Sequence, residues 1–269
     1  MLNKFFLKFA LMFISILSLG CGQGDEVAIK PELVVAVDAT FVPMTFLNDK
    51  GELDGFEVDL VDKVVRNAGY EYELVNVEWG GLFGGLITKK FDLVISSITI
   101  LEERKKRMAF SIPYLQSGVA VLVRKDLDNI NSLEQLAKTR AVVGAQINTT
   151  SHYFIQKFAG LNIKTYEKFG LAAIDMANKG IDGVVGDSVQ VNYYFNENEE
   201  LEKNARFLGS RMTSEYYGMV LRKNDLELKQ KIDESLAELI NDGTVMGLHT
   251  KWGLGKFSVV PAPMHESGS

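Results

Sequence analysis

One segment of the sequence, residues 91–114, combines residue types that could bind a carboxylate. Its first half is a short apolar run that ends in the hydroxyl residues Ser96, Ser97 and Thr99. Its second half contains a basic run that begins with Arg104. The planar guanidinium of an arginine donates to both oxygens of a carboxylate at once. A solvated basic face over a buried strand is the alternative that this segment alone leaves open.

Carboxylates follow two other apolar runs. Asp38 comes directly after residues 33–37, and Asp187 follows residues 183–186. Ligands of parallel α/β sheets bind at the carboxyl ends of the strands, so these side chains and the hydroxyls are expected along such edges. Taken by itself, Asp187 is better explained as the N-cap of a helix over residues 188–195. Asp38 could likewise only cap the loop after its strand.

The pattern along the chain predicts the elements that position these residues. Short apolar runs alternate with amphipathic segments, which predicts an α/β fold with mostly parallel sheets. Ser132 and Gln135 have the spacing of a capping box, which predicts a helix start there. The predicted strands cover residues 33–37, 72–77, 91–95, 119–123, 142–144, 162–166, 183–186 and 217–221, and the predicted helices cover 58–68, 82–89, 132–138, 150–159, 171–179 and 226–241.

Composition argues against several classes of function. The 269 residues are 46% apolar, which is enough for a sizeable core and predicts two lobes. A net charge of −6 without long single-sign blocks argues against a nucleic-acid partner. Three histidines and one cysteine leave little material for a zinc or iron–sulfur site, and no loop has calcium-ligand spacing. We therefore expect neither a metal nor a cofactor.

The N-terminus has the pattern of an export signal. Lys4 and Lys8 supply positive charge, and residues 9–19 form an apolar core that is too short for a comfortable membrane span. Cys21, the single cysteine, stands where a bacterial lipoprotein signal would be cut. The segment resembles a lipobox, which implies a signal peptide over residues 1–20 and a lipid-modified Cys21 that anchors the chain to a membrane. An ordinary secretory signal with a chance cysteine is the alternative.

Three segments together resemble a known family. They read GFEVDL at 55–60, ITILEERKKRMAFSIPY at 98–114 and DGTVMGLHTKWG at 242–253. In this order they are similar to the extracytoplasmic solute-binding proteins of polar amino-acid ABC transporters, over residues 33 to 254. The resemblance implies a two-lobed clamshell of the periplasmic-binding-protein type II, which closes on one free L-amino acid by hinge motion.

The resemblance also implies where the lobes begin and end. Lobe I would comprise residues 32–116 and 216–257, and lobe II would comprise residues 117–215. The two crossovers would fall near residues 114–118 and 214–218. A polar tether over residues 21–31 would precede the lobes. From Ser258 onward the periodicity is lost and Pro and Gly appear, so we expect a disordered tail over residues 258–269.

Matching the family's motif residue by residue implies contacts to the ligand backbone. Arg104 would form the bidentate pair with the α-carboxylate. Thr99 would offer its backbone and its hydroxyl. Asp187 would receive the α-ammonium, with help from Ser97.

A second set of matched positions implies a pocket for the ligand side chain. The rings of Phe41 and Trp79 would sandwich that side chain, although Phe41 alone would be assigned to the core. Asp38, with Ser96 beside it, would meet a distal nitrogen. Aromatic faces and a carboxylate favour arginine, lysine, histidine or glutamine over acidic or aliphatic ligands, because an acidic ligand would bring a like charge to Asp38.

The lobe II contacts depart most from the family pattern. Thr149 and Thr150 match positions that present hydroxyl and N–H groups at a helix start, where anions are favoured. Asn148 stands where a glycine is usual, Leu101 where a threonine is usual, and Gly186 where some relatives have a polar side chain. Asparagine tolerates left-handed backbone geometry, so the loop is expected to survive. These departures bear on ligand identity more than on the fold.

Three functions compete. A binding protein would do no chemistry and would pass its ligand to an ABC permease in the membrane, acting as a monomer. Cyclohexadienyl dehydratases also resemble this family, but those enzymes need a carboxylic acid three residues after Asp187, where this chain has Gln190. A ligand-sensing module is the third alternative. We therefore expect binding rather than catalysis.

Overall fold

The computed structural model describes residues 32–255 and 257–262. The predicted signal peptide, Cys21 and the tether lie outside the described residues. Residues 263–269 of the predicted tail also lie outside them.

The strands are short and are numbered in chain order. They are β1 (Glu32–Val37), β2 (Thr40–Phe41), β3 (Thr45–Leu47), β4 (Leu53–Asp54), β5 (Glu71–Asn76), β6 (Leu93–Val94), β7 (Met108–Phe110), β8 (Leu115–Ser117), β9 (Val119–Arg124), β10 (Val142–Gln146), β11 (Asn162–Tyr166), β12 (Gly183–Asp187), β13 (Ala205–Phe207), β14 (Glu215–Tyr217) and β15 (Val220–Arg222).

The helices lie between these strands and after them. They are α1 (Phe56–Asn67), α2 (Trp79–Ile87), α3 (Glu102–Lys105), α4 (Leu133–Lys138), α5 (Thr150–Ile155), α6 (Phe169–Ala177), α7 (Ser188–Glu197), α8 (Glu199–Asn204), α9 (Leu226–Asn241) and α10 (Thr244–Lys251). In the described part of the chain, none of them has the length and apolar character needed to cross a membrane.

Two five-stranded sheets form the centres of two lobes. The sheet of lobe I has the order β5-β1-β6-β15-β7, and that of lobe II has the order β11-β10-β12-β9-β13. In each sheet a single strand runs against the others: β15 is antiparallel to β6 and β7, and β9 is antiparallel to β12 and β13. These are the strands that enter each sheet from the other lobe. The prediction of an α/β fold with mostly parallel sheets is confirmed.

Each sheet is covered on both faces, which explains its continuous apolar strands. Along β9, Val121 and Val123 pack into one core cluster, and Ala120 and Leu122 pack into another on the opposite face. The strand β1 in lobe I divides in the same way between two clusters. Side chains alternate between the faces of a strand, so one short sequence supports two cores.

The antiparallel pair β8 and β14 joins the lobes. Its register sets Ser117 opposite Glu215 and Leu115 opposite Tyr217. These strands overlap the segments in which the crossovers were predicted, while the exact lobe boundaries stay predictions. We call this pair, together with the residues that contact it, the hinge.

The start of the predicted disordered tail is ordered, so that expectation was wrong for these residues. Ser258 is buried, and Val259 pairs with Gln116 of β8 through two backbone hydrogen bonds of 2.8 and 2.9 Å. The reason is that the apolar residues after α10 continue the chain along β8. Val259 there pairs with backbone groups of Gln116 that would otherwise lie at a free strand edge. The prolines that suggested disorder come only after this pairing.

Two further local predictions were wrong. The strand predicted over residues 217–221 is two strands, because the chain passes from the hinge pair to the lobe I sheet at Gly218. The helix predicted over residues 82–89 begins three residues earlier, at Trp79, and ends at Ile87. Within α2, a Cβ on Gly85 would lie 2.2 Å from the ring of Phe91. Close packing on the sheet therefore explains the glycine and compensates for its low helix propensity.

Candidate functional site

A cavity lies between the two lobes and brings the predicted ligand-binding residues together. It holds about 570 Å³ of empty space, counting the part open to solvent. The predicted residues in its lining are Asp38, Phe41, Trp79, Ser96, Ser97, Thr99, Arg104, Thr149, Thr150 and Asp187, and the others are Thr40, Gln146, Ser151, Phe169, Val185, Gly186 and Gln190.

Arg104 is a partly buried cation on the short helix α3. Its Nη1 donates to the carbonyl oxygen of Thr99 at 2.9 Å. Its guanidinium lies over two rings, 5.3 Å from the centre of Phe83 and 5.8 Å from that of Trp79. Burial lowers the pKa of Arg104, opposed by the charge of Glu215. It makes no ion pair within the described residues, so its remaining donors can receive an anion.

Asp187 lies at the N-cap position of α7 and lines the cavity, but its side chain makes no capping hydrogen bond. It ends β12 and is the N-cap residue of α7, and its Oδ1 accepts from the Ser117 hydroxyl at 2.7 Å. Burial raises the pKa of Asp187 to about 7, although the Tyr217 and Ser117 hydroxyls act in the opposite direction. Because Ser117 belongs to β8, this carboxylate of lobe II is held by a hinge strand.

Asp38 is buried directly after β1. Its Oδ1 accepts from the Thr40 hydroxyl at 2.8 Å, and its N–H donates to the Ser96 hydroxyl at 3.3 Å. Burial raises the pKa of Asp38, and the charge of Lys168 from lobe II lowers it. The carboxylate therefore fixes its own loop and also faces the cavity, while its contact with a ligand nitrogen stays a prediction.

The cleft is closed, with contacts across its mouth. Trp79 Nε1 donates to the carbonyl oxygen of Asn148 in lobe II at 3.3 Å. Glu78 and Lys168 form an ion pair of 3.1 Å between the same two lobes. Asn148 has a φ of 61°, the left-handed geometry that its asparagine was expected to tolerate.

The hydroxyls of Thr149 and Ser97 already have partners. Thr149 caps α5: its hydroxyl accepts from the His152 N–H at 3.2 Å and donates to the Gln146 carbonyl at 2.8 Å. The hydroxyl of Ser97 donates to Glu57 Oε1 at 3.1 Å. A hydroxyl that donates its proton keeps lone pairs, so Ser97 can still accept from a ligand ammonium.

Glu57 was missed by the sequence reasoning. It is fully buried on α1, and its carboxylate accepts from the Thr45 hydroxyl at 2.8 Å, the Ser97 N–H at 2.6 Å and the Tyr114 hydroxyl. It therefore holds the loop at Ser97, which lines the cavity, from the side that faces the core. The sequence gives little signal, since Glu57 and Asp59 both stand in the first turn of α1 and only the fold shows that Glu57 is the buried one.

Glu215 of the hinge was also missed. Its Oε2 accepts from the Thr99 hydroxyl at 2.9 Å, and its Oε1 accepts from the Thr213 hydroxyl at 2.8 Å. Thr99 thus links Arg104, through its carbonyl, to a hinge carboxylate, through its hydroxyl. Within residues 32–255 and 257–262, no group of three or more His, Cys, Asp or Glu residues could hold a metal ion.

Two α/β lobes joined by a strand pair, with a polar cavity between them, define the class of type II periplasmic binding proteins. The chain belongs to the family described as bacterial extracellular solute-binding proteins, family 3, whose model matches residues 33–255. The predicted family resemblance is therefore confirmed.

Relatives of known name agree with this assignment. The chain is 29% identical over 233 residues to the L-cystine-binding protein TcyJ of Escherichia coli strain K12, covering 86% of each chain. It is similar to a structure of an ancestral arginine-binding protein bound to arginine, with 33% identity, a TM-score of 0.78 and coverage of 83% of this chain and 99% of that one. It is also similar to the arginine-, lysine-, histidine-binding protein ArtJ of Geobacillus stearothermophilus, with 36% identity, a TM-score of 0.75 and coverage of 84% and 96%.

Proposed function

We propose that this protein captures a free polar amino acid between its lobes and delivers it to an ABC permease in a membrane. The observation that carries the proposal is the charge arrangement in one cavity. Arg104 has no ion-pair partner among the described residues, and Asp187 lines the same cavity from the opposite lobe. A zwitterion satisfies both groups at once: its α-carboxylate pairs with Arg104 and its α-ammonium with Asp187.

The ligand side chain is basic or carries an amide: arginine, lysine, histidine or glutamine. It would lie against Phe41 and Trp79 and reach Asp38, whose carboxylate attracts a distal nitrogen and repels an acid. The names of the similar arginine-binding structures support the basic class. The name of TcyJ supports amino-acid binding with a different side chain.

A thermal-shift screen tests the proposal. The purified protein is heated with each of the twenty amino acids, and with ornithine, citrulline and cystine. A ligand that binds only the folded state raises the melting temperature, so the largest rise is expected for a basic or amide amino acid. A screen in which no amino acid changes the melting temperature overturns the proposed function.

Asp38→Ala separates side-chain recognition from backbone recognition. Loss of this carboxylate should weaken arginine, lysine or glutamine by roughly tenfold or more and leave small neutral amino acids nearly unchanged. Calorimetric affinities for both ligand groups provide the measurement, with Asp49→Ala, an exposed residue outside the cavity, as the matched control. Equal losses for all ligands would mean that Asp38 only supports its loop.

Binding without catalysis is favoured by Gln190, which lines the cavity at the position where the dehydratase alternative needs an acid. A neutral amide cannot protonate a departing hydroxyl. The ligand should therefore be recovered unchanged after prolonged incubation with the protein. A ligand-sensing role uses the same clamshell, and growth of a permease deletion strain on the ligand separates sensing from transport.

We also propose that Cys21 carries a lipid that anchors the chain, as a monomer, at the outer surface of a bacterial membrane. The support is the lipobox-like sequence around the single cysteine. Two acyl chains are needed for stable anchoring. Cys21→Ser should move the protein from the membrane fraction to the soluble fraction, and unchanged fractionation would contradict the anchor.

A further inference from the structure

The cavity has an aromatic wall on the side of lobe II that the predicted site did not include. Phe169, the first residue of α6, is only 1% exposed and lines the cavity. Phe41 and Trp79 line the same cavity from lobe I. The side-chain pocket is therefore bounded by aromatic rings from both lobes. Phe169 is the ring that lobe II contributes.

Gly186 is what leaves room for this ring. A Cβ added to Gly186 would lie 2.4 Å from Cε2 and 2.8 Å from Cδ2 of Phe169. Those distances are far below an ordinary carbon–carbon contact, so the ring rests directly on the backbone of β12. The same Cβ would also lie 3.0 Å from Cγ2 of Val191.

The ring of Phe169 is also held from other directions. Tyr194 packs against it edge-on, with ring centres 5.5 Å apart and an interplanar angle of 62°. Tyr194 in turn touches the backbone of Gly170, where a Cβ would lie 2.5 Å from its hydroxyl. Since β12 lies against one side of the ring and Tyr194 against another, we expect a ring displaced from β12 to move toward the cavity.

We infer that Phe169, seated by Gly186, is a specificity-determining residue that limits the length of the ligand side chain. This inference rests on the proposed amino-acid binding. The pocket would accept an unbranched ligand side chain. The methylene stem or planar end of that side chain would lie against the rings of Phe41, Trp79 and Phe169. Any side chain at position 186 would push the ring inward and shorten the pocket, and a smaller residue at position 169 would deepen it.

Four variants test the inference through the ratio of affinities for long and short ligands. Gly186→Ala should weaken a long ligand such as arginine by roughly tenfold relative to alanine or serine, since overpacking of this kind displaces neighbouring side chains. Phe169→Leu should shift the ratio toward longer ligands. In the double variant, Gly186→Ala should change the ratio little beyond the change caused by Phe169→Leu alone, because the two residues act through one contact.

Gly144→Ala is the matched control. Gly144 lies on β10 beside β12, and its Cβ would crowd Ile181 at 2.7 Å, but it does not line the cavity. It should lower the melting temperature without changing the ligand ratio. Circular dichroism and melting of each variant establish that it is folded before affinities are compared by calorimetry.

The outcomes are distinguishable. A wild-type protein that binds no amino acid overturns the proposed function and this inference with it. A wild type that binds, with the same ligand ratio in Gly186→Ala and Phe169→Leu as in Gly144→Ala, overturns this inference alone. Independent, additive changes in the double variant would show that Gly186 does not act through Phe169 and would also overturn it.

Discussion

At the scale of single residues, the site depends on a cation that is prepared for an anion before the anion arrives. Arg104 is oriented by the Thr99 carbonyl and by the faces of Phe83 and Trp79. Arginine stacks on aromatic rings and keeps its charge when partly dehydrated. The entropy of ordering this side chain is already lost in the folded protein, so less affinity is lost when a ligand binds.

Arg104→Ala is expected to lower amino-acid affinity by roughly thirtyfold or more, since removing one partner of a buried charge pair costs about 2–5 kcal/mol. Arg104→Lys should also bind weakly, because an ammonium cannot reproduce the bidentate fork. Lys105→Ala is the control, since Lys105 pairs with Glu102 at the surface. Calorimetry that finds near-native affinity for Arg104→Ala would contradict the carboxylate assignment.

Glu57 contributes to stability and not to ligand contact, because it accepts hydrogen bonds from three buried groups. Removing its carboxylate would leave the buried donors of Thr45, Ser97 and Tyr114 without their acceptor. Glu57→Ala should therefore lower the free energy of unfolding by about 3 kcal/mol or more. Urea denaturation provides the measurement, and Glu73→Ala on the exposed side of β5 should stay within about 0.5 kcal/mol of wild type. Equal stabilities would contradict this role.

The residues found from the sequence and those that were missed differ in a physical way. Arg104, Asp38 and Asp187 stand directly after strands or in a distinctive motif, and the family resemblance then favoured ligand contacts over the alternatives that position and charge left open. Glu57 and Phe169 lie on helices. The apolar periodicity of a helix predicts which face is buried, but it does not show what a single residue on that face contacts. Their roles depend on which distant residues fold against them, and one sequence does not contain that information.

At the scale of elements, the hinge is a three-stranded arrangement and not a bare pair. Val259 pairs with Gln116 on the free side of β8. The Ser188 hydroxyl of lobe II donates to the Phe257 carbonyl at 2.9 Å, and the Ser258 hydroxyl lies 3.0 Å from His249 Nε2 of lobe I. The segment after α10 thus ties lobe I, lobe II and the hinge together.

A chain that stops after residue 256 should melt about 4–8 °C lower, since it loses several hydrogen bonds worth about 2 kcal/mol in total. Scanning calorimetry of the ligand-free protein provides the measurement. A chain that stops after residue 262 keeps every one of these contacts and is the matched control. Equal melting temperatures for the two truncations would mean that the segment adds nothing to the hinge.

The length of an element decided how well the sequence predicted it. The helix α9 was predicted with its observed bounds, and β11 likewise, because each shows its period over enough residues. Strands of two or three residues, such as β2, β4 and β7, are too short to show an alternation. The hinge segment after α10 was missed because it pairs as a strand only with a partner more than a hundred residues away.

At the scale of the whole molecule, closure of the two lobes is coupled to protonation of the carboxylates in the cleft. Burial raises the pKa of Asp187 to about 7, well above the ordinary value of about 3.9, and also raises that of Asp38. The closed empty form therefore binds more protons than an open form whose carboxylates face water. Its extra stability is present at low pH and is lost as the pH rises through about 7.

The ligand-free protein should accordingly be more compact at pH 5.5 than at pH 8, and the ligand-bound protein should be compact at both. In the proposed complex, the ligand ammonium would take the place of the proton on Asp187. Small-angle X-ray scattering measures the radius of gyration in the four conditions. Asp187→Asn, which is neutral at every pH, should reduce the difference. A variant with the full wild-type pH dependence would contradict the role of Asp187.

The crossing of the chain between lobes has a consequence for the order in which the protein is made. All five strands of the lobe II sheet lie in one stretch, from β9 to β13, whereas the lobe I sheet lacks its interior strand β15 until residue 222. A chain synthesised from its N-terminus can complete lobe II first. The lobe that starts first is thus finished last. In the meantime β6 pairs only with β1 and keeps a free edge, and β7 lacks its partner strand. Unpaired strand edges can pair with other chains. The incompletely synthesised protein is therefore most prone to aggregation through lobe I.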